Sequence, residues 1–366
     1  MNLLRHKEYM HMAIELAAKA RGRTRPNPMV GAVLVKGGKI VSSGYHRRAG
    51  TAHAEVIALR KAGSRAKGGT LYVNLEPCCH TDKRTPPCTK AIIESGIKEV
   101  VVAMVDPNPR VSGRGLRTLR RAGIKTKSGI LGREARILNE SFITYITTRR
   151  PFVILKIAQS LDGKIATARG ESQWITGSKA RTAVHTLRNS IDALLVGRGT
   201  VEKDNPSLDC RIRGGRNPYR VIVDSSLNIP IKAKVLHCND GKTIVATTNQ
   251  ASKNKIAKIE KLGCRVLTVK DKNSRVSLQH LMQELGKLEI TSVMIEGGSS
   301  ISASALQSRI VHKVMFFSAP KIIGGADSIP SIGGKSPGRL SHALALKDLR
   351  ITNIGDDVLL EGYVQY

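Results

Sequence analysis

Aromatic and acidic residues are scarce in this chain. Phe, Trp and Tyr make up 3% of its 366 residues, with one tryptophan. Any core must therefore be filled by Ile, Val, Leu and Ala. A surface that stacks nucleic-acid bases in series is not expected. Acidic residues number 28 against 60 Lys and Arg, a formal net charge of +32. Both halves of the chain are basic, and the densest stretch runs from Arg110 to Lys127, so this is not a basic tail. Phosphate neutralisation on nucleic acid would suit such a charge, as would attraction of phosphorylated small substrates. The plain alternative is compositional bias on solvated faces. No apolar run is long enough to span a bilayer. The N-terminus, MNLLRHKEYMHMA, places charges where a signal peptide needs its apolar stretch. The expectation is a soluble cytoplasmic protein with no membrane partner. Six unevenly spaced cysteines do not read as a disulfide framework. The length allows two domains with separate cores.

What is present begins with His53-Ala54-Glu55, followed by Pro77-Cys78 and Cys88. His53, Cys78 and Cys88 are three candidate zinc ligands, the number that leaves a catalytic zinc one open position for water. Zinc activates such a water at neutral pH. Hydrolytic removal of an amine also needs a group to carry the proton, and Glu55, two residues from a ligand histidine, is placed for that. A His-x-Glu and a Pro-Cys motif divide the labour in this way in zinc deaminases. The general signature spaces its cysteines Cys-x-x-Cys, whereas these two lie ten residues apart. Cys79 and His80 fall inside the gap as competing ligands. His53 and Cys88 each open a helix-like run, where N–H dipoles favour a thiolate. Cys210, Cys238 and Cys264 lack ligand-like spacing and read as structural.

Apolar spacing predicts a helix over residues 7–20. Strands over 30–35 and 40–44 are joined by a Gly37-Gly38 hairpin turn. Helices follow near 54–62, 89–95, 116–122 and 134–147, with strands at 70–75 and 100–105. The basic stretch from Thr147 to Pro151 reads as a domain boundary. Beyond it an apolar run, 152–158, precedes strands at 193–197, 220–223, 243–246, 265–269, 292–296 and 314–319. Helices are predicted near 179–189, 253–262 and 278–288, and a terminal hairpin over 349–364. Alternating strands and helices argue for α/β layers with parallel pairing.

Several strand ends in the second half carry glycine: Gly197 and Gly199 before Thr200, Gly297 and Gly298 after Glu296, and Gly324-Gly325 after Pro320. Such ends let backbone N–H groups approach a phosphate, although each alone is more simply a turn. Three on one sheet suggest a shared ligand edge. Lys156 interrupts an apolar strand, Asp204 heads Asp-Asn-Pro, and Glu296 ends its strand. Their plain readings are a solvent-facing lysine and two loop carboxylates.

The runs TRPNPMVGAVLV, GYHRRAGTAHAE and LEPCCHTDKRTPPC resemble the deaminase half of the bifunctional riboflavin-biosynthesis deaminase–reductases. KIAQSLDGKIA, WITG, VGRGTVEKDNPSL, DCR and EGG follow in the order of the reductase half. The resemblance covers nearly the whole chain. It implies a cytidine-deaminase-like domain over 1–148 and a dihydrofolate-reductase-like domain over 149–366. The first would remove the 2-amino group of 2,5-diamino-6-ribosylamino-4(3H)-pyrimidinone 5′-phosphate, and the second would reduce the ribosyl group to ribityl with NADPH. Carried over by motif, His53, Cys78 and Cys88 hold zinc and Glu55 shuttles the proton. Asn27, His46 and Arg84 contact the first substrate. The family usually spaces the two cysteines nine apart, so the extra residue here falls in the loop that carries Lys83 and Arg84. Lys156, Asp204 and Glu296 match catalytic positions of the reductase. Arg188 and Arg211 match positions that hold the substrate phosphate. Gly197, Gly199, Thr200, Gly297 and Gly298 would border the dinucleotide. A homo-oligomer is the expected assembly.

Two other readings stand beside this one. A deaminase of RNA bases would suit the charge but has no use for the second half. A nucleic-acid-binding scaffold on a decayed enzyme fold has no use for Glu55.

Overall fold

Glycines 37 and 38 take φ of +58° and +76°, the left-handed values that a two-residue hairpin turn requires. They join β1 (Gly31–Lys36) to β2 (Lys39–Tyr45), with Lys36 opposite Lys39. The computed structural model describes residues 2–80 and 86–366. It divides into two units, Met1–Arg149 and Arg150–Tyr366. Among the described residues, no helix is long and apolar enough to cross a membrane.

In the first unit α1 (Leu3–Ala18) precedes the hairpin. Then come α2 (Ala54–Ala62), β3 (Thr70–Val73), α3 (Cys88–Glu94), β4 (Glu99–Val102), α4 (Arg114–Arg121), β5 (Lys125–Ser128), α5 (Gly132–Leu138) and α6 (Glu140–Thr148). The sheet order is β2-β1-β3-β4-β5. β1 is antiparallel to both its neighbours, whereas β3, β4 and β5 run parallel. Gly44 lets α2 lie close on β2, because a Cβ there would stand 2.8 Å from the Ala54 carbonyl oxygen and from Ile57. Two expectations differ. The Lys-Thr-Lys-Ser strand β5 is a polar edge without apolar alternation. The single helix expected over 134–147 is broken at Asn139, whose side chain turns to the Met29 backbone.

In the second unit β6 (Phe152–Ser160), β7 (Lys164–Ala166), α7 (Ser178–Ser190), β8 (Ala193–Gly197), α8 (Arg198–Asp204), β9 (Tyr219–Val223) and β10 (Thr243–Thr247) come first. After them come α9 (Lys253–Lys261), β11 (Arg265–Thr268), the short pair β12 (Asp271–Lys272) and β13 (Arg275–Val276), α10 (Leu278–Lys287), β14 (Ser292–Ile295) and α11 (Ser299–Gln307). β15 (Lys313–Ala319), β16 (Ile329–Pro330), β17 (Ala345–Ile354) and β18 (Asp357–Gln365) complete it. The main sheet has the order β11-β10-β9-β8-β14-β6-β15-β18-β17. Its strands run parallel from β11 to β15, and β18 and β17 close it antiparallel.

Strand residues alternate between two cores. Ile154, Leu194, Val196 and Met294 face one, while Val153, Leu155, Leu195 and Ile295 face the other. Cover on both faces is why these strands read as continuous apolar runs. Parallel pairing also gathers the C-terminal ends of β8, β14, β6 and β15 on one edge. There lie Gly197, Glu296-Gly297 and the turn after Ala319.

Candidate active sites

In the first unit the chain converges on three soft or borderline donors. His53 caps the start of α2, and Cys88 is the first residue of α3. Cys78 lies in the turn after β3. Its sulfur accepts from the Cys88 N–H at 3.4 Å, and its carbonyl accepts from the Thr89 N–H at 3.2 Å. His53 Nδ1 stands 3.2 Å from Cys88 Sγ and 3.6 Å from Cys78 Sγ. All three donor atoms lie within 4.8 Å of one another. Donors arranged tetrahedrally round zinc stand about 3.5 Å apart, so the set fits that ion. Cys79 and His80 do not join this group among the described residues.

Glu55, in the first turn of α2, is buried at 3% exposure. Its Oε2 has no hydrogen-bond partner. Burial pushes its carboxyl above the ordinary value, with His53 pulling the other way. A buried acceptor without a donor is costly and marks a place where chemistry or ligand is expected.

His46 packs edge-on to His53, with ring centroids 5.2 Å apart. Its Nδ1 lies 3.2 Å from the Ala52 carbonyl oxygen and must carry the proton there, since a carbonyl only accepts. Nε2 is left to accept from Asn27 Nδ2 at 3.2 Å. Burial lowers the His46 pKa, which favours this neutral form. The Asn27 loop is itself pinned by two buried asparagines. Asn139 Oδ1 accepts from the Met29 N–H at 2.8 Å, and the Asn139 and Asn74 amides both donate to the Met29 carbonyl at 3.0 Å. Neither asparagine was singled out in the sequence, where nothing distinguishes a clamping asparagine from a turn. Arg84 lies outside the described residues.

In the second unit three charged side chains meet at the sheet edge. Arg188, in the last turn of α7, donates from Nε to Glu296 Oε1 at 3.0 Å and from Nη2 to Oε2 at 2.8 Å. Lys156, on β6, places Nζ 3.8 Å from Glu296 Oε2. Side-chain exposures are only 12% for Lys156, 15% for Arg188 and 9% for Glu296. Burial lowers the Lys156 pKa, Glu296 opposes that shift, and Arg188 reinforces it. Burial alone would raise the Glu296 carboxyl, yet Lys156 and Arg188 together hold it below the ordinary range.

Arg188 Nη1 also donates to the Asp209 carbonyl at 3.0 Å. Asp209 in turn pairs with Arg211 at 3.3 Å, which brings the two predicted phosphate-binding arginines to one segment. The Arg211 N–H reaches His185 Nδ1 on α7 at 3.4 Å. Asp204 ends α8, exposed, with no side-chain hydrogen bond or salt bridge among the described residues; partial burial raises its pKa and the neighbouring Lys203 opposes that shift.

Gly197 and Gly298 cap the starts of α8 and α11 in extended conformation. The side of Gly199 and Gly298 where a Cβ would stand is open space. A Cβ on Gly297 would collide with Ile301. Thr200 lies in the first turn of α8. Sequence reading also passed over the role of Asp162, within Ser-Leu-Asp-Gly. Its carboxylate accepts from Ser160 Oγ at 2.6 Å and from the Ile323 and Gly324 N–H groups at 3.1 and 2.8 Å. These bonds tie the end of β6 to the turn after β15.

Comparison with known proteins sets these two sites in a family. Residues 4–104 match the cytidine and deoxycytidylate deaminase zinc-binding region, and residues 151–360 match the RibD C-terminal domain. The riboflavin biosynthesis protein RibD of Aquifex aeolicus is 47% identical over 355 residues, covering 97% of each chain. That of Escherichia coli is 39% identical, covering 96% of this chain and 97% of its own. Among solved structures, Acinetobacter baumannii RibD superposes with a TM-score of 0.90 at 36% identity, covering all of both chains. A Thermotoga maritima protein described as a diaminohydroxyphosphoribosylaminopyrimidine deaminase/5-amino-6-(5-phosphoribosylamino)uracil reductase gives 0.87 at 39% identity, with 99% of each chain covered.

Proposed function

Because this chain belongs to the RibD family, bifunctional deaminase/reductases of riboflavin biosynthesis with a cytidine-deaminase-type zinc unit and a dihydrofolate-reductase-like unit, we propose that its two units act in turn on one phosphorylated pyrimidine. The first unit removes the 2-amino group of 2,5-diamino-6-ribosylamino-4(3H)-pyrimidinone 5′-phosphate. The second reduces the ribosyl chain to ribityl. The observation that carries the first step is the unpartnered Glu55 Oε2 beside the His53–Cys78–Cys88 donor set.

His53, Cys78 and Cys88 would hold zinc, which when bound supplies a water activated for attack. Glu55 would carry one proton of the attacking water to the ring nitrogen as the C–O bond forms, and then the second, from the hydroxyl of the adduct, to the amine as the C–N bond breaks. Burial raises the Glu55 pKa above the ordinary carboxylate value, the direction a proton carrier needs. Asn27 and His46 orient the pyrimidine by hydrogen bonds, and Arg84 is assigned to the substrate on its motif position.

In the second unit NADPH, when bound, supplies the hydride. Gly197, Gly199, Thr200, Gly297 and Gly298 border it, since neither Gly199 nor Gly298 has a neighbour on its open side. Opening of the sugar exposes a C1′ electrophile, and its reduction needs a proton donor. Lys156 is that donor in our reading, because burial weakens its hold on the proton while Glu296 keeps it oriented. Asp204 steers the sugar hydroxyls. Arg188 and Arg211 bind the 5′-phosphate. Arg188 uses three of its five N–H donors on Glu296 and Asp209, which leaves two for an anion.

We also infer a homo-oligomer working in the cytoplasm. β17 is an exposed sheet edge carrying Leu346, Leu349 and Ile351, a surface that a second copy would cover. Six unevenly spaced cysteines, two of them in the metal donor set, suit a reducing compartment. The test of the enzymatic reading is an assay of the purified protein that records ammonia release and NADPH absorbance together. Ammonia followed by substrate-dependent NADPH loss supports it, and zinc-loaded protein that yields neither sinks it.

A further inference from the structure

The Cys78 turn is held from below by a carboxylate that no part of the reading above uses. Glu76 lies two residues before Cys78 and is buried at 3% exposure. Its Oε2 accepts from the Asp106 N–H at 3.1 Å and the Gly113 N–H at 2.8 Å, and its Oε1 accepts from the Leu116 N–H at 3.1 Å. Its own N–H donates to the Met104 carbonyl at 3.0 Å. The three donors belong to the segment that leaves β4 and enters α4. Gly113 caps that helix, and the N–H groups of its first turn have no partner within the helix. One carboxylate therefore satisfies N–H groups that a side-chain cap would otherwise serve, and the helix dipole favours its charge.

The same contact faces the ligand turn. Gly115, in the first turn of α4, presses on the Pro77 carbonyl oxygen so closely that a Cβ there would collide with it and stand 3.0 Å from Glu76 Oε1. Pro77-Cys78 is thus fixed between α4 on one side and the start of α3 on the other, where the Cys88 and Thr89 N–H groups bond to Cys78.

We propose that Glu76 is a positioning residue for the metal site, fixing Cys78 as a ligand by anchoring its turn to the start of α4. The inference rests on the reading of His53, Cys78 and Cys88 as the zinc set. Outer partners of a ligand shape metal affinity by about 10–100-fold, and an anchored turn removes the freedom that a loop cysteine would otherwise lose on binding.

The experiment uses the full chain, as the parent and as Glu76→Gln and Gly115→Ala. Glu76→Gln keeps the size but turns an amide toward N–H donors. Gly115→Ala keeps the Glu76 carboxylate but forces the Pro77 turn away from α4, its Cβ also crowding Glu76 Oε1 at 3.0 Å. Zinc release to a chelator, the thiolate-to-metal absorption band of the cobalt-substituted protein, and thermal unfolding by circular dichroism are recorded for each. Both variants are expected to fold cooperatively, release zinc about tenfold faster or more, and shift the cobalt band, while NADPH oxidation on pre-deaminated substrate stays at the parental rate. Parental zinc release and an unmoved cobalt band in both variants would overturn the proposal. So would collapse of the first unit in both, which would assign Glu76 to folding alone. A parent that binds neither zinc nor cobalt would instead overturn the metal site itself.

Discussion

Arg188 grips Glu296 through two parallel hydrogen bonds of 3.0 and 2.8 Å, and Lys156 stands 3.8 Å from the same carboxylate. The three groups come from α7, the end of β14 and β6, so the charge balance of the proposed reductase site is set by tertiary structure. Removing the central carboxylate leaves two buried cations facing each other. Glu296→Gln should destabilise the second unit by about 3–5 kcal/mol, the cost of breaking a buried pair. Trp174, the only tryptophan, lies in that unit, so its fluorescence during urea unfolding isolates the effect. An unchanged midpoint would mean that the pair contributes nothing.

Arg188→Lys keeps the charge but loses the planar fork. Reduction should slow, with a raised KM for the phosphorylated substrate and an unchanged rate of ammonia release. Steady-state kinetics on pre-deaminated substrate, with and without its phosphate, checks this. Equal losses on both substrates would move the phosphate away from Arg188.

Glu55→Gln should retain zinc, because Glu55 is not in the donor set. Deamination should fall by about 10²–10⁴-fold, the contribution of a positioned proton carrier. Metal analysis beside an ammonia assay decides it. Full activity in the variant would remove Glu55 from the proton path.

Asp162 gives a pH signature. Its bond from Ser160 Oγ, with those from the Gly324 and Ile323 N–H groups, lowers its pKa from 3.8 to about 2. A depressed carboxyl stabilises the folded state fully above the unfolded value, and that contribution is lost as pH falls through the folded one. Carboxyl-carbon NMR should therefore show a midpoint near 2 for Asp162, and Asp162→Asn should flatten the acid limb of stability between pH 3.8 and about 2. A midpoint at the ordinary 3.8 would contradict the tie between the β6 and β15 turns.

Asn139→Ala should strip the Met29 N–H of its acceptor, at a cost of about 1–3 kcal/mol. The Asn27 loop then loosens. Hydrogen exchange at the Met29 amide should quicken and the KM for deamination should rise, with zinc content unchanged. Parental protection at Met29 would show that the Asn139 bond does not hold this loop.

The zinc set was legible because its chemistry demands particular residue types, and the central strands, such as β8 and β14, because both their faces are buried. The hairpin was legible because only glycine suits its turn. Other features left no trace in pattern. Asn139 breaks a helix whose apolar spacing runs straight through it, because its side chain serves another loop. Residues 198–204 and 299–307 are helices, yet their Gly and Ser content reads as loop. Only 349–354 of β17 was foreseen, since an exposed edge strand lacks the alternation that burial imposes. Glu76 and Asp162 look like ordinary loop carboxylates until the N–H groups they satisfy are seen, and those come from segments far away in the chain. The meeting of Lys156, Arg188 and Glu296 likewise depends on strand order.

The central claim is that one chain carries two chemically separate sites, and mixing two crippled proteins tests it most directly. Lys156→Ala should release ammonia at the parental rate without consuming NADPH, and Glu55→Gln should do neither with the diamino substrate. Combined, they should restore NADPH loss and ribityl product. Loss of ammonia release in zinc-loaded, folded Lys156→Ala, or a mixture that stays inert while Glu55→Gln still reduces added deaminated substrate, would contradict the account.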